Sequence, residues 1–410
     1  MKYRYVWAAA LMAAMWMAGC KRSAEPVVFH AQGQPANLSD WHVLKVEDGH
    51  LRWNTGVEPY ALNTALFSDY AHKLRTIWMP PGSKAKYQPD EAFDFPVGTI
   101  ISKTFYYPRA AGADGAKGAV LRVAERPGES SDGLDLSKVR LIETRLLVRR
   151  ENGWVALPYV WNAEQTQAQL VRSGDVVPLT MHRADGGPTQ TFTYVVPDEN
   201  QCAGCHSTNN TTRALHPIGP KARHLNRDDP WHTGQNQLAR MVELGRLEGL
   251  PADGVPRNAR FDDTSAPLQD RARAYLDVNC GHCHNPKGPA DTSGLWLDAA
   301  TKQPRRLGLC KPPVAAGQGT GDHMFDIVPG RPDDSIIVYR MDSLDPGAMM
   351  PELGRSTVHE EGVNLVRDWI KAWLGECSTG QAGHDGDSAD DDEDATASVR
   401  GDARGRLAMK

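Results

Sequence analysis

Two five-residue signatures, Cys202-Ala203-Gly204-Cys205-His206 and Cys280-Gly281-His282-Cys283-His284, share the form C-x-x-C-H and begin 78 positions apart. Whatever the chain folds into has to bring two thiols and the imidazole that follows them onto one object, twice. The spacing is that of covalent c-type haem attachment: two thiols reach the two vinyl groups of one porphyrin, and the next residue swings an imidazole under the iron. A shorter or longer gap would misplace that imidazole. Zinc sites and dithiol redox sites also use C-x-x-C, but neither needs a histidine in the next position both times. Each signature therefore predicts one haem. Cys202, Cys205, Cys280 and Cys283 are the attachment points, and His206 and His284 the proximal iron ligands.

The first twenty residues place Lys2 and Arg4 ahead of an apolar stretch from Val6 to Ala18, which closes on Met17-Ala18-Gly19-Cys20. That stretch is shorter than the roughly 20 residues of a permanent membrane-spanning helix, and residues 1–19 read as a cleaved export signal. Its ending resembles the lipobox of bacterial lipoproteins. The resemblance implies lipidation of Cys20, a tether over residues 20–37, and a lipid-anchored protein on the periplasmic side of a bacterial membrane. Cleavage removes Lys2 and Arg4 and takes the formal charge from −5 to −7. With 46 basic and 51 acidic residues no broad basic face is implied, which argues against nucleic-acid binding.

At 410 residues the chain calls for at least two folding units. Residues 38–198 are rich in β-branched and aromatic side chains between Gly, Pro and Asp turns, and read as strands, among them 99–107, 140–149, 154–161 and 189–196. Asn152-Gly153 predicts a tight primed turn between the second and third of these. Trp154, Tyr159 and Trp161 read as buried packing. After Pro197 the apolar spacing becomes helical, over 235–247, 266–279 and a last helix with capping-box spacing at Thr357 and the stripe Val363, Val366, Trp369, Ile370 and Trp373. Val363 replaces the second histidine that a zinc-protease helix would need after His359-Glu360. Residues 378–410 are too acidic and too poor in apolar side chains to fold, so disorder is expected there.

On its two signatures and its exported, β-rich first half, the chain resembles bacterial dihaem c-type cytochromes, more narrowly exported ones with a β-rich region before the haem modules. The resemblance is specific from Cys202 to Cys377. It implies a multidomain fold: an N-terminal mainly-β domain over 38–198, then mainly-α cytochrome c-like haem modules over 199–263 and 264–377. It also implies two covalently bound c-type haems and electron carriage between exported redox partners. Cytochromes c of similar pattern place an axial methionine in the loop before the last helix. This implies Met350, followed by Pro351, as the distal ligand of the second iron, with Met349 and Met341 as alternatives. The distal ligand of the first iron stays open among His216, His224, His232, Met241, Met181 and His182. Carbonyls of Pro220, and of Pro286 or Pro289, are expected to orient the proximal imidazoles. Four cysteines on haem and one on lipid leave Cys310 and Cys377, which in an oxidising compartment predict a disulfide. Two functions fit this set: an electron carrier with both haems six-coordinate, or an enzyme resembling dihaem cytochrome c peroxidases with an open first haem.

Overall fold

The structure is a computed structural model and describes residues 25–110, 118–207, 211–315, 317–378 and 398–399. Alternating apolar positions in the first half produce a six-stranded sheet of β1 (Glu58–Tyr60), β2 (His72–Trp78), β3 (Ile100–Pro108), β4 (Val139–Arg150), β5 (Gly153–Trp161) and β6 (Ala168–Leu170). Spatial order follows chain order and every neighbouring pair is antiparallel. The β4–β5 hairpin turns through Glu151 and Asn152, because Arg150 pairs with Gly153. Positive φ falls on Gly153 alone, so the turn is not the primed one that Asn-Gly suggested.

One face of this sheet buries Leu74, Ile100, Tyr106, Leu146, Val148, Leu157 and Tyr159 against Leu38, Trp41 and Leu51 of the N-terminal segment. The Trp41 Nε1 donates to the Tyr159 hydroxyl at 2.7 Å, which satisfies both polar tips inside that core. The other face is divided. At one end Ile77, Ile101 and Leu147 pack on Leu225, Leu238 and Leu247. At the other, Phe105, Tyr107 and Ile142 pack on Leu179, Met181 and Tyr194 of a three-stranded sheet formed by Ala119–Arg122, Asp175–Arg183 and Gln190–Val196.

The expectation of mainly-α cytochrome c-like modules after residue 198 is overturned. The protein is β-rich, 28% strand and 18% helix, and its six α-helices among the described residues do not assemble such modules. They are α1 (Glu199–His206), α2 (Ala222–Leu225), α3 (Gln237–Glu243), α4 (Leu268–Asn279), α5 (Ile336–Asp342) and α6 (Glu360–Lys371). Between α4 and α5 lie more than fifty residues of turns and short 3₁₀ segments. Pro286, Pro289, Pro304, Pro312 and Pro313, with many glycines, prevent a longer helix there. The predicted helix over 235–247 is correspondingly cut to α3, ended by Gly245 at φ 65°.

Helices α4, α5 and α6 still share one core. Tyr275 and Leu276 of α4 meet Val338 and Met341 of α5 and Val366, Trp369 and Ile370 of α6. Cys310 and Cys377 are disulfide-bonded beside it, 67 residues apart in sequence. Two buried carboxylates tie this core to the rest. Asp69 Oδ1 accepts from the Ser356 and Thr357 amides at 2.7 and 2.8 Å. Asp277 of α4 receives Arg223 and His224 of α2.

Candidate functional site

The first signature is the end of α1. Asp198 caps that helix, its side chain accepting from the Gln201 amide at 2.7 Å while the Gln201 side chain accepts from the Asp198 amide at 3.0 Å. The helix start is thereby set four residues before Cys202, and the three-residue spacing puts Cys202 and Cys205 on one face, with His206 closing the last turn. The second signature continues α4. The Cys280 and Gly281 amides donate to Leu276 O at 2.8 and 2.9 Å, and the Cys283 and His284 amides to Cys280 O at 3.1 and 2.9 Å. A Cβ at Gly281 would lie 2.8 Å from both Asp277 O and Asp298 Cα, so this position admits only glycine.

Both following histidines are prepared in the same way. His206 Nδ1 lies 2.9 Å from the His216 carbonyl, and His284 Nδ1 lies 3.3 Å from the Leu295 carbonyl and from Ser293 Oγ. A carbonyl can only accept, so Nδ1 carries the proton and Nε2 of each ring presents a lone pair. Burial pushes both imidazoles down to about 4, which keeps them neutral at pH 7. The orienting carbonyls are not the expected prolines: Pro220 O accepts from the Phe93 amide instead, and Leu295 takes the part foreseen for Pro286 or Pro289.

The structure brings the two signatures into contact. Cys283 Sγ donates to Gly204 O at 3.9 Å, one residue from Cys205. The Cys283 thiol, with His282 alongside, holds Cys205 down to about 3, while Cys283 as donor is pushed up. Nδ1 of His282, inside the second signature, is buried and has no hydrogen-bond partner among the described residues. Sequence reasoning passed over His282 because it occupies a variable position of the pattern, and only its surroundings single it out.

The loop of Met350 closes over the same place. The Met350 amide donates to Arg340 O at 2.8 Å; Leu353 Cδ1 comes within 3.2 Å of where a Cβ on Gly204 would be, and the Glu352 charge acts on Cys283. Met350 is half-buried, Met349 is buried, and Met341 is part of the core of α4, α5 and α6. Of the histidines and methionines considered for the first iron, His224 bonds Asp277 at 2.9 Å, His232 bonds Asp229 at 3.1 Å and His182 meets Thr189 at 3.3 Å. Met181 and Met241 are packed in apolar clusters, and His216 contributes its carbonyl to His206. Cys20 and the acidic tail from residue 379 to 397 lie outside the described residues, and among those described no helix is long and apolar enough to cross a membrane.

Among the described residues no three His, Cys, Asp or Glu side chains converge in a metal-binding group, as a zinc cage would require. A haem iron arrives with four porphyrin nitrogens and asks the protein for one oriented imidazole beside two thiols. Each signature offers that. Two clefts lie elsewhere, one lined by Tyr60, Met79, Leu225 and Met241, the other by Trp53, Trp231 and His232, and neither includes a signature residue. Comparison with protein families, with curated proteins and with solved structures yields no match to the chain.

Proposed function

We propose that the protein is a dihaem c-type electron carrier, anchored outside the cytoplasm by a lipid on Cys20 and exchanging electrons with exported redox proteins. The haems supply reversible one-electron chemistry. The chain's part is to hold and orient them: Cys202 and Cys205 with His206, and Cys280 and Cys283 with His284, each imidazole aimed by a carbonyl. Met350 is the distal ligand proposed for the second iron, a thioether that raises its potential.

The contact of Cys283 with Gly204, which sets the second signature against the first, carries this reading. Electron exchange falls steeply with separation, so haems bound at two signatures in contact would pass electrons between them more readily than haems held apart.

The test is a pyridine haemochrome assay with intact mass on protein matured in a host competent for c-type haem. Two covalent haems per chain are expected, both low-spin, and Met350→Ala is expected to abolish the sulfur-to-iron band of one of them and lower its potential. A high-spin first haem with peroxide turnover would replace the carrier by the peroxidase-like enzyme, and absence of bound haem would end both readings. Protein made without haem supports a second measurement. Because Cys283 meets Gly204 beside Cys205, these two thiols should oxidise to a cross-signature disulfide in a non-reducing peptide map. Bridges formed only within each signature would count against the contact.

A further inference from the structure

The divided face of the large sheet carries a feature that its apolar ends do not explain. Register places Arg75 of β2 opposite Lys103 of β3, and Lys103 opposite Arg145 of β4, giving three cations abreast across three strands. The rows on either side are ordinary: Ile77, Ile101 and Leu147 on one, Lys73, Phe105 and Glu143 on the other. Like charges directly opposite one another weaken a sheet, and burial adds to the cost. Arg75 and Lys73 are both 5% exposed and Lys103 is half-buried.

The charge is only partly answered. Arg145 is held by Glu143, with Nε to Oε2 at 2.7 Å and Nη2 to Oε1 at 2.5 Å, and Tyr194 donates to the same carboxylate at 2.7 Å. Lys73 donates to Ala71 O at 2.8 Å. Among the described residues neither Lys103 nor Arg75 has an ion pair or a side-chain hydrogen bond. Burial, with Arg145 and Arg75 alongside, pulls the Lys103 ammonium down to about 7 against the opposing charge of Glu143, and its Nζ lies 5.2 Å from the Phe105 ring centroid.

The row begins beneath the first signature. Helix α1 packs on β5, the charges of Arg145, Glu143 and Lys103 act on Cys202, and that of Lys103 acts on His206. From Arg145 the row runs away from Cys202, one strand spacing of about 4.8 Å to Lys103 and about 10 Å to Arg75. In a porphyrin the two propionate carboxylates project from the edge opposite the two vinyl groups. A porphyrin tied at Cys202 and Cys205 and lying along this row would bring its anionic edge to the cations farther from Cys202.

We propose that Lys103 and Arg75 are the propionate-binding residues of the first haem, so that the β-rich half of the chain completes a cofactor site whose covalent anchors lie outside it. This assignment rests on the haem reading above. It gives the large sheet a task that its strand pattern alone did not reveal.

The test uses the matured, haem-loaded full chain and its two reduction potentials. In Lys103→Met, loss of a cation beside a carboxylate favours the ferric state. The reduction equilibrium of one haem should fall about tenfold, about 59 mV for a one-electron couple, with the other unmoved and both haems retained. Lys103→Arg should return that potential to within a third of the shift and move the propionate bending band of the same haem in resonance Raman spectra. Unchanged potentials in Lys103→Met carrying two haems would overturn the assignment and leave the haem reading standing. Should Lys103→Met fail to mature, unaltered propionate bands in Lys103→Arg would overturn it as well. A wild-type chain without haem would remove the reading beneath it.

Discussion

Asp277→Ala is expected to lower the unfolding free energy by about 3–5 kcal/mol, the largest single-residue effect we foresee, because it strands a buried guanidinium. Asp277 lies within α4 at 5% exposure and receives five hydrogen bonds: two from Arg223 at 2.8 Å, and one each from His224, Asn258 and the Ala299 amide at 2.9 Å. Without it Arg223 keeps, among the described residues, only the Asp90 carbonyl as a hydrogen-bond acceptor. Burial alone would raise the Asp277 carboxyl, but hydrogen bonds from His224 and Arg223 outweigh it and hold the group well below the usual carboxylate range. A depressed folded-state pKa contributes stability that is fully present above the unfolded value of about 3.9 and is lost as pH falls toward the folded value. Denaturant unfolding of wild type and Asp277→Asn should therefore show a full gap at pH 7 that narrows only in acid below about pH 4. A gap that is flat through pH 3, or one below about 1 kcal/mol at neutral pH, would show that the carboxylate is not the joint between α2 and α4.

Removing the disulfide should cost a similar amount by a different route. Cys310 and Cys377 close a loop of 67 residues, and constraining that loop in the unfolded chain is worth about 4 kcal/mol in the chain-entropy model. The double variant Cys310→Ala, Cys377→Ala should lose about that much in denaturant unfolding, and reductant should destabilise the wild type but not the variant. The loss belongs to the core of α4, α5 and α6, of which α5 and α6 lie within the bridged loop. If reductant lowered the stability of both proteins equally, the bridge would not be the source.

Residues close together in the chain were legible because their geometry depends on one another alone. Two thiols three apart and an adjacent imidazole define a haem-attachment pattern wherever they fall, and the apolar stripe of Val363, Val366, Trp369 and Ile370 does lie on one buried face of α6. The cap of α1 by Asp198 and Gln201 was available on the same terms and was missed. The expectation of helical modules failed because a likeness in motif order was extended to the chain between motifs, where proline and glycine permit only short helices. The carbonyls that orient His206 and His284 were misassigned to prolines, since which carbonyl meets a ring depends on how the intervening loop reverses. The first distal ligand was not legible at all: a lone histidine such as His224 reads alike whether it faces an iron or, as here, a buried carboxylate.

The division follows range. Residue types within one or two turns of each other decide a cap, an attachment pattern or a buried stripe, because 3.6 residues per turn and alternation along a strand carry the geometry with them. Bringing Cys283 to Gly204, Arg223 to Asp277, and Arg75, Lys103 and Arg145 into one row needs segments far apart in sequence to dock in a particular register. A slip of one residue in β3 would turn Lys103 to the opposite face, so that row exists only once the whole sheet has formed.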